Sequence, residues 1–260
     1  MKQTKDFETV SASQEKYLSE LHPVELPTRC NKTEKCNAVL VTAYRSLVSG
    51  IAWLGVTSPL ALTAASLLQS CLPEPTYGDI VILSANLQKL KDVYVPLQYH
   101  PIPPPWRLIS ASDSAFANSG QYSQNGFVVL ICEDSDDQLC GRFVLLDYKS
   151  NKSKRVATST MHAESLSCIF GLETATFIQT QLLEISRPGL SAINLLAPET
   201  YADDLIKIVT CCDCHDVHAA CIAPAQPTAS NKHLVLYLAA IRELKALVES
   251  ASSHGSTLVT

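Results

Sequence analysis

The chain has 260 residues, 47% of them hydrophobic and 17% charged, with a net charge of −5. That content is enough to bury a core and excludes a wholly disordered chain, and the length fits one domain with an extra segment or two small domains. The acidic balance excludes a protein that coats nucleic acid by bulk electrostatics and restricts any such contact to a local patch such as Lys149, Lys152, Lys154 and Arg155.

Met1 to Asn37 is polar and irregular, with a short helix expected around Gln14 to Leu21, and is expected to be a mobile N-terminal segment (1–37). It carries Lys2, Lys5, Asp6 and Glu8 in place of an apolar signal region, so the ten cysteines read as reduced thiols of a cytoplasmic or nuclear protein. A helical region is expected over 38–100. It carries Val39, Leu40, Val41, Leu47, Ile51 and Leu54, then Leu60 to Leu72, then Ile80 to Leu90, with Trp53 as a core residue. Leu47 to Leu72 has no charged residue and is long enough to span a bilayer. Its many Ser and Thr residues and Pro59 favour two buried amphipathic helices broken near Pro59, and no membrane association is expected.

The stiff run Pro101-Ile102-Pro103-Pro104-Pro105 marks a domain boundary. Three aliphatic runs follow, Leu108 to Ala111, Gly126 to Ile131 and Phe143 to Leu146, each bounded by Gly, Ser, Asn or Asp, and they predict three consecutive strands. A helix is predicted from about Thr160, capped by Ser159 or Thr160, with apolar positions Leu166, Ile169, Phe170, Phe177, Ile178 and Leu182. Leu205 to Cys212 predicts a fourth strand ending at Asp213, and Lys232 to Val248 a further helix. In this βββα unit Asp113 ends the first strand and Glu164 lies in the first turns of the helix, so both carboxylates can meet and suggest a metal.

These residues carry a family resemblance. Ser112-Asp113-Ser114-Ala115-Phe116-Ala117 and Ser159-Thr160-Met161-His162-Ala163-Glu164 resemble the two acidic patterns of the ribonuclease H domain of copia-type retrotransposon polyproteins. The basic segment Tyr148-Lys149-Ser150-Asn151-Lys152-Ser153-Lys154 is similar to the family's, with Tyr148 where Trp is usual. Arg45-Ser46-Leu47-Val48-Ser49-Gly50-Ile51-Ala52-Trp53-Leu54 resembles the connecting region that precedes the domain, although Thr57-Ser58-Pro59-Leu60 lacks the two charged residues that follow there. Cys212-Asp213-Cys214-His215-Asp216-Val217 stands where the family has its third carboxylate and keeps only the Asp, and Tyr237 stands where a later helix carries an Asp.

The resemblance implies an α/β, ribonuclease H-like mixed sheet, three antiparallel strands followed by αβα, over 106–260. It further implies a fold incomplete at its C-terminus, because the fourth carboxylate of the family follows a fifth strand, and that strand would begin only about at Thr260. Asp113, Glu164 and Asp213, spaced by 51 and 49 residues, would be the catalytic and metal-binding set, with Asp113 between two ions. Mg2+, with Mn2+ as the alternative, prefers such carboxylate oxygens, and two ions about 3.5–4 Å apart activate water and stabilise the leaving oxygen. Ser114, Asn118, Lys152, Lys154 and Arg155 are candidate substrate contacts. The implied partner is an RNA–DNA hybrid recognised by shape and 2′-hydroxyls, together with other parts of a retroelement polyprotein. Two functions remain: a Mg2+-dependent hybrid ribonuclease impaired by the missing carboxylate, or a catalytically inactive descendant serving as a nucleic-acid-binding or structural subunit.

Two further patterns carry less. Tyr201-Ala202-Asp203-Asp204 spells the Tyr-x-Asp-Asp of reverse transcriptases but follows Ala197-Pro198-Glu199-Thr200 instead of an apolar strand, and a helix or turn start is the expectation. Cys211, Cys212, Cys214, His215, His218 and Cys221 lack a second Cys-x-x-Cys to pair with Cys211 and Cys214, so buried or free thiols are expected there in preference to zinc ligands.

Overall fold

The structure is a computed structural model that describes residues 1–3, 8–119, 122–134, 141–187, 189, 206–223, 232–251 and 258–259. The chain divides into two compact units, Met1–His100 with Lys149–Lys152, and Pro101–Tyr148 with Ser153–Thr260. Tyr201 to Asp204 lies outside the described residues.

The first unit contains β1 (Lys2–Gln3), β2 (Val10–Ala12), α1 (Glu15–Glu20), α2 (Ala38–Leu54), α3 (Pro59–Gln69), α4 (Tyr77–Val93) and β3 (Leu97–Tyr99). The strands form a small antiparallel sheet in the order β1-β2-β3. Helix starts follow their caps: Asn37 accepts from the Leu40 amide, Ser58 precedes Pro59 at the first helical position, and Thr76 with Asp79 forms a reciprocal capping box. Tyr44, Leu47, Val48, Ile51 and Leu54 of α2 pack with Ala61, Ala65 and Leu68 of α3 and Ile80, Leu83, Leu87 and Leu90 of α4. Trp53 and Val39, expected in this core, are exposed instead. The 3.6 period places 44, 47, 48, 51 and 54 on one face, and position 53 falls about 200° from 51. Among the described residues no helix is long and apolar enough to cross a membrane.

The second unit is built on a five-stranded sheet, β4 (Trp106–Ser119), β5 (Tyr122–Glu133), β6 (Phe143–Lys152, whose last four residues are counted with the first unit), β7 (Lys207–Cys212) and β8 (Leu258–Val259), in the order β6-β5-β4-β7-β8. Central β4 pairs antiparallel with β5, Trp106 opposite Glu133 through Ala115 opposite Gln124, and parallel with β7, Arg107 opposite Lys207 through Ser112 opposite Cys212. β7 pairs parallel with the two-residue β8, which takes the edge place in the sheet just before Thr260, where the resemblance puts only the start of a fifth strand. This is the expected mixed sheet, three antiparallel strands followed by a helix, a strand and a helix. Arg107 and Lys207 place two cations side by side at the start of the parallel pair. Asp134 bridges them, in contact with Arg107 and 3.0 Å from the Lys207 ammonium.

Among the described residues three helices complete the unit: α5 (Thr160–Ser186), α6 (His215–Ile222) and α7 (Lys232–Ala251). α5 starts where Ser159 accepts from the His162 amide, and it lies between the sheet and α7. Its first turns are therefore buried on opposite sides, Ala163, Glu164, Ser165, Leu166, Ser167 and Cys168 alike. Phe170 and Phe177, expected on its apolar face, are 40% and 62% exposed. The contact with the sheet is made by small residues. A Cβ at Gly171 would stand 2.6 Å from the Ser110 hydroxyl oxygen and 3.3 Å from Phe127 Cβ, so only glycine permits this approach. Gly171→Val should lower the urea midpoint by an amount equivalent to about 1–3 kcal/mol with an unchanged slope. An unchanged midpoint would contradict this packing.

Candidate metal centre at the end of the parallel strand pair

The site forms where β4 and β7 stop pairing. Ser112 and Cys212 are the last partners, and Asp113 and Asp213 each follow by one residue, so the parallel register sets two carboxylates on neighbouring strands at the same level. Both are exposed. The third carboxylate comes from the helix. Ser167, one turn beyond Glu164, places its buried hydroxyl oxygen 2.8 Å from the Asp113 carbonyl and 2.7 Å from the Gly126 carbonyl, and its single proton is shared between them. This ties α5 to β4 and β5 at the level of the site.

Glu164 is 4% exposed. Its Oε1 accepts from the Ser114 backbone amide at 3.3 Å, whereas its Oε2 is buried without a hydrogen-bond partner. Burial pushes its pKa up to about 7; Asp213 and Asp113 push in the same direction, and hydrogen bonding from Ser114 opposes them. Among the described residues, Glu164, Cys212 and Asp213 form the one group of three metal-type ligands whose donor atoms all lie within 4.8 Å of one another. Asp113 stands outside that group but close enough for its charge to act on Glu164. Sequence reasoning set Cys212 aside as an ordinary thiol. Its position directly before Asp213 on a strand is the signal that could have found it. Burial pushes its thiol up to about 12, so the sulfur keeps its proton in the metal-free protein.

The candidate substrate contacts are placed unevenly. Ser114 contributes its backbone amide to Glu164, Lys152 is half-buried, Lys154 is exposed, and the side chain of Asn118 lies outside the described residues. Arg155 is held by Tyr237, with its guanidinium 5.6 Å above the ring centre and bonded to the phenol oxygen. The Tyr237 ring also packs with the buried His162 ring, the two centres 5.4 Å apart. His162 Nδ1 accepts from the Thr158 amide, and burial, with His233 and Arg155 nearby, holds the imidazole below its usual range. The Tyr237 that departs from the family pattern thus orients a cation next to the helix that carries Glu164.

A divalent cation fits these residues: an unpartnered buried carboxylate oxygen, two exposed carboxylates and a pKa raised in part by like charges all call for positive charge. The consequence for stability has a definite sign. Glu164 binds its proton more tightly folded than unfolded, so its contribution is full below pH about 4.5 and is lost as pH rises through about 7. Glu164→Gln keeps the oxygen that accepts from Ser114 and has no charge to bury. In metal-free buffer it should be more stable than wild type at pH 8, by up to about 3 kcal/mol, with the gap closing toward pH 5 in urea titrations. A gap that widens toward acid would contradict the arrangement.

No protein-family model matches the chain, and no characterised protein matches it in sequence. Two solved structures share partial structural similarity with the chain. Ribonuclease H1 from the halophilic archaeon Halobacterium salinarum NRC-1 is 16% identical, with a TM-score of 0.35 over 59% of this chain and 83% of that chain. LC11-RNase H1, isolated from compost by a metagenomic approach, is 14% identical, with a TM-score of 0.36 over 59% of this chain and 82% of that one.

Proposed function

We propose that the second unit is a divalent-metal-dependent ribonuclease H-like domain of copia-type retroelement ancestry that hydrolyses the RNA strand of RNA–DNA hybrids. The observation that carries this reading is the meeting of Glu164 with Asp213 at the end of the parallel pair, with Asp113 at the same level of the neighbouring strand. The ordered Asp113, Glu164 and Asp213 patterns support the ancestry.

Glu164 and Asp213, with Asp113 beside them, would hold Mg2+ or Mn2+. When bound, such an ion supplies an acidified water and neutralises charge on the scissile phosphate. The protein's own part is to position and screen. The Ser114 amide fixes one oxygen of Glu164, the Ser167 hydroxyl holds the strand ends against α5, and Lys154 and Arg155 offer positive charge to a phosphate backbone. A wide, shallow groove lined with 2′-hydroxyls is the form such contacts read. A second reading, a hybrid-binding fold that no longer cleaves, is favoured by one observation: Asp113 lies outside the tight group of donors.

Cleavage of a labelled RNA–DNA hybrid with Mg2+ or Mn2+ separates the two. The enzyme reading expects product from wild type and a fall of at least about 100-fold in both Asp113→Asn and Glu164→Gln. Hybrid binding without cleavage by the folded wild type would favour the second reading, and cleavage that survives both substitutions would remove these carboxylates from the chemistry.

A further inference from the structure

The donor set at the strand ends differs from an all-carboxylate centre in one member. Cys212 is the last residue of β7, opposite Ser112, and it is 3% exposed. Strand alternation turns it toward the face covered by α5, the face from which Glu164 reaches the site. Cys211, one residue earlier, turns the other way and packs with Ile109, Cys132 and Val209. The sulfur of Cys212 therefore joins Glu164 and Asp213 in a group whose donor atoms lie within 4.8 Å of one another, and the unpartnered buried Oε2 belongs to the same Glu164.

We infer that Glu164, Cys212 and Asp213 form a site for a soft or borderline divalent cation of the Zn2+ class, and that such an ion occupies the place of the hard cation and blocks it. This inference rests on the functional reading above only in its inhibitory part. A thiolate has little affinity for Mg2+ and a strong one for Zn2+ or Cd2+, so Cys212 changes which ion the centre prefers. Bonds of about 2.0–2.3 Å set donors on a tetrahedral zinc ion somewhat closer together than 4.8 Å. Rotation of the exposed Asp213 side chain adjusts its own two distances, and the approach of Glu164 to Cys212 requires side-chain torsions of those two residues. As the metal–sulfur bond forms, the Cys212 sulfur gives its proton to solvent. Three protein donors leave the fourth position to water. The bland account, in which Cys212 only fills core space, predicts no bond from its sulfur to any ion.

Cd2+ is the probe, because its bond to a thiolate produces a charge-transfer absorption that carboxylates and imidazoles do not. The full-length reduced protein is titrated with Cd2+, alongside Cys212→Ser, Glu164→Gln, Cys211→Ser and Cys214→Ser, with far-ultraviolet circular dichroism as the check on folding. The site predicts an absorption that saturates near one equivalent in wild type, is unchanged in Cys211→Ser and Cys214→Ser, and disappears in Cys212→Ser. In Glu164→Gln the apparent affinity falls at least about 10-fold. Excess Mg2+ shifts the titration to higher Cd2+. An absorption that persists in Cys212→Ser, or none from folded wild type, overturns the inference, and indifference to Mg2+ overturns its inhibitory part. Hybrid cleavage is scored separately. The absorption without cleavage supports the soft-metal site and counts against the nuclease reading, and cleavage without the absorption does the reverse.

Discussion

The shared hydrogen bond from Ser167 to the carbonyls of Asp113 and Gly126 is the contact on which the arrangement of the site depends. It fixes the height of α5 on the sheet, and Gly171, one turn later, lets the helix lie close enough for the bond to form. With that height set, Glu164 must fall beside the point where β4 and β7 stop pairing, because it lies on the same helix one turn before Ser167. The side chain is then committed to a buried place with one oxygen on the Ser114 amide and the other without a partner. An ordinary core would fill that place with an apolar residue, since an unpaired buried carboxylate opposes folding.

The cost has a compensating use. Three carboxylates approach one another on elements whose positions are settled by other contacts: the parallel ladder, the Asp134 bridge between Arg107 and Lys207, and the Ser159 cap of α5. The site is thus stiff while its charges repel. Such a group gains most from a cation, and the Glu164 pKa, raised to about 7 chiefly by burial and further by the charges of Asp213 and Asp113, points the same way. Cys212 is inserted into the same space by nothing more than strand register, one residue before Asp213. It brings a soft donor into a centre otherwise suited to hard ions.

Much of this was legible in the sequence, for particular reasons. The alternating runs of β4 and β5 are bounded by turn residues, Ser159 stands one residue before the helix it caps, and β7 ends one residue before Asp213, where the apolar run ends. The patterns around Asp113 and Glu164 then put both carboxylates at one end of the unit. The misplaced residues failed for a common reason. Trp53 and Val39 of α2, and Phe170 and Phe177 of α5, are large and apolar, yet they lie on faces that no element covers in the described structure of their own units. α5 buries small and polar residues in their stead, among them Ser165, Ser167, Gly171, Ala175 and Gln179, whose side-chain amide donates to the Ile206 carbonyl. Periodicity counts apolar side chains and is blind to a helix that meets its sheet through a glycine and a serine. Arg155 with Tyr237 and His162 was illegible for a different reason, since its members come from distant parts of the chain and only tertiary contact joins them.

Paramagnetic broadening by Mn2+ tests the central claim, that the end of the β4–β7 pairing with the first turns of α5 forms one cation centre. Substoichiometric Mn2+ added to isotopically labelled protein should first broaden the backbone amide signals of Asp113, Ser114, Glu164 and Asp213, and Mg2+ should restore them. Broadening that begins elsewhere, or the absence of any site-specific loss at Mn2+ levels that saturate other carboxylate centres, would contradict the account.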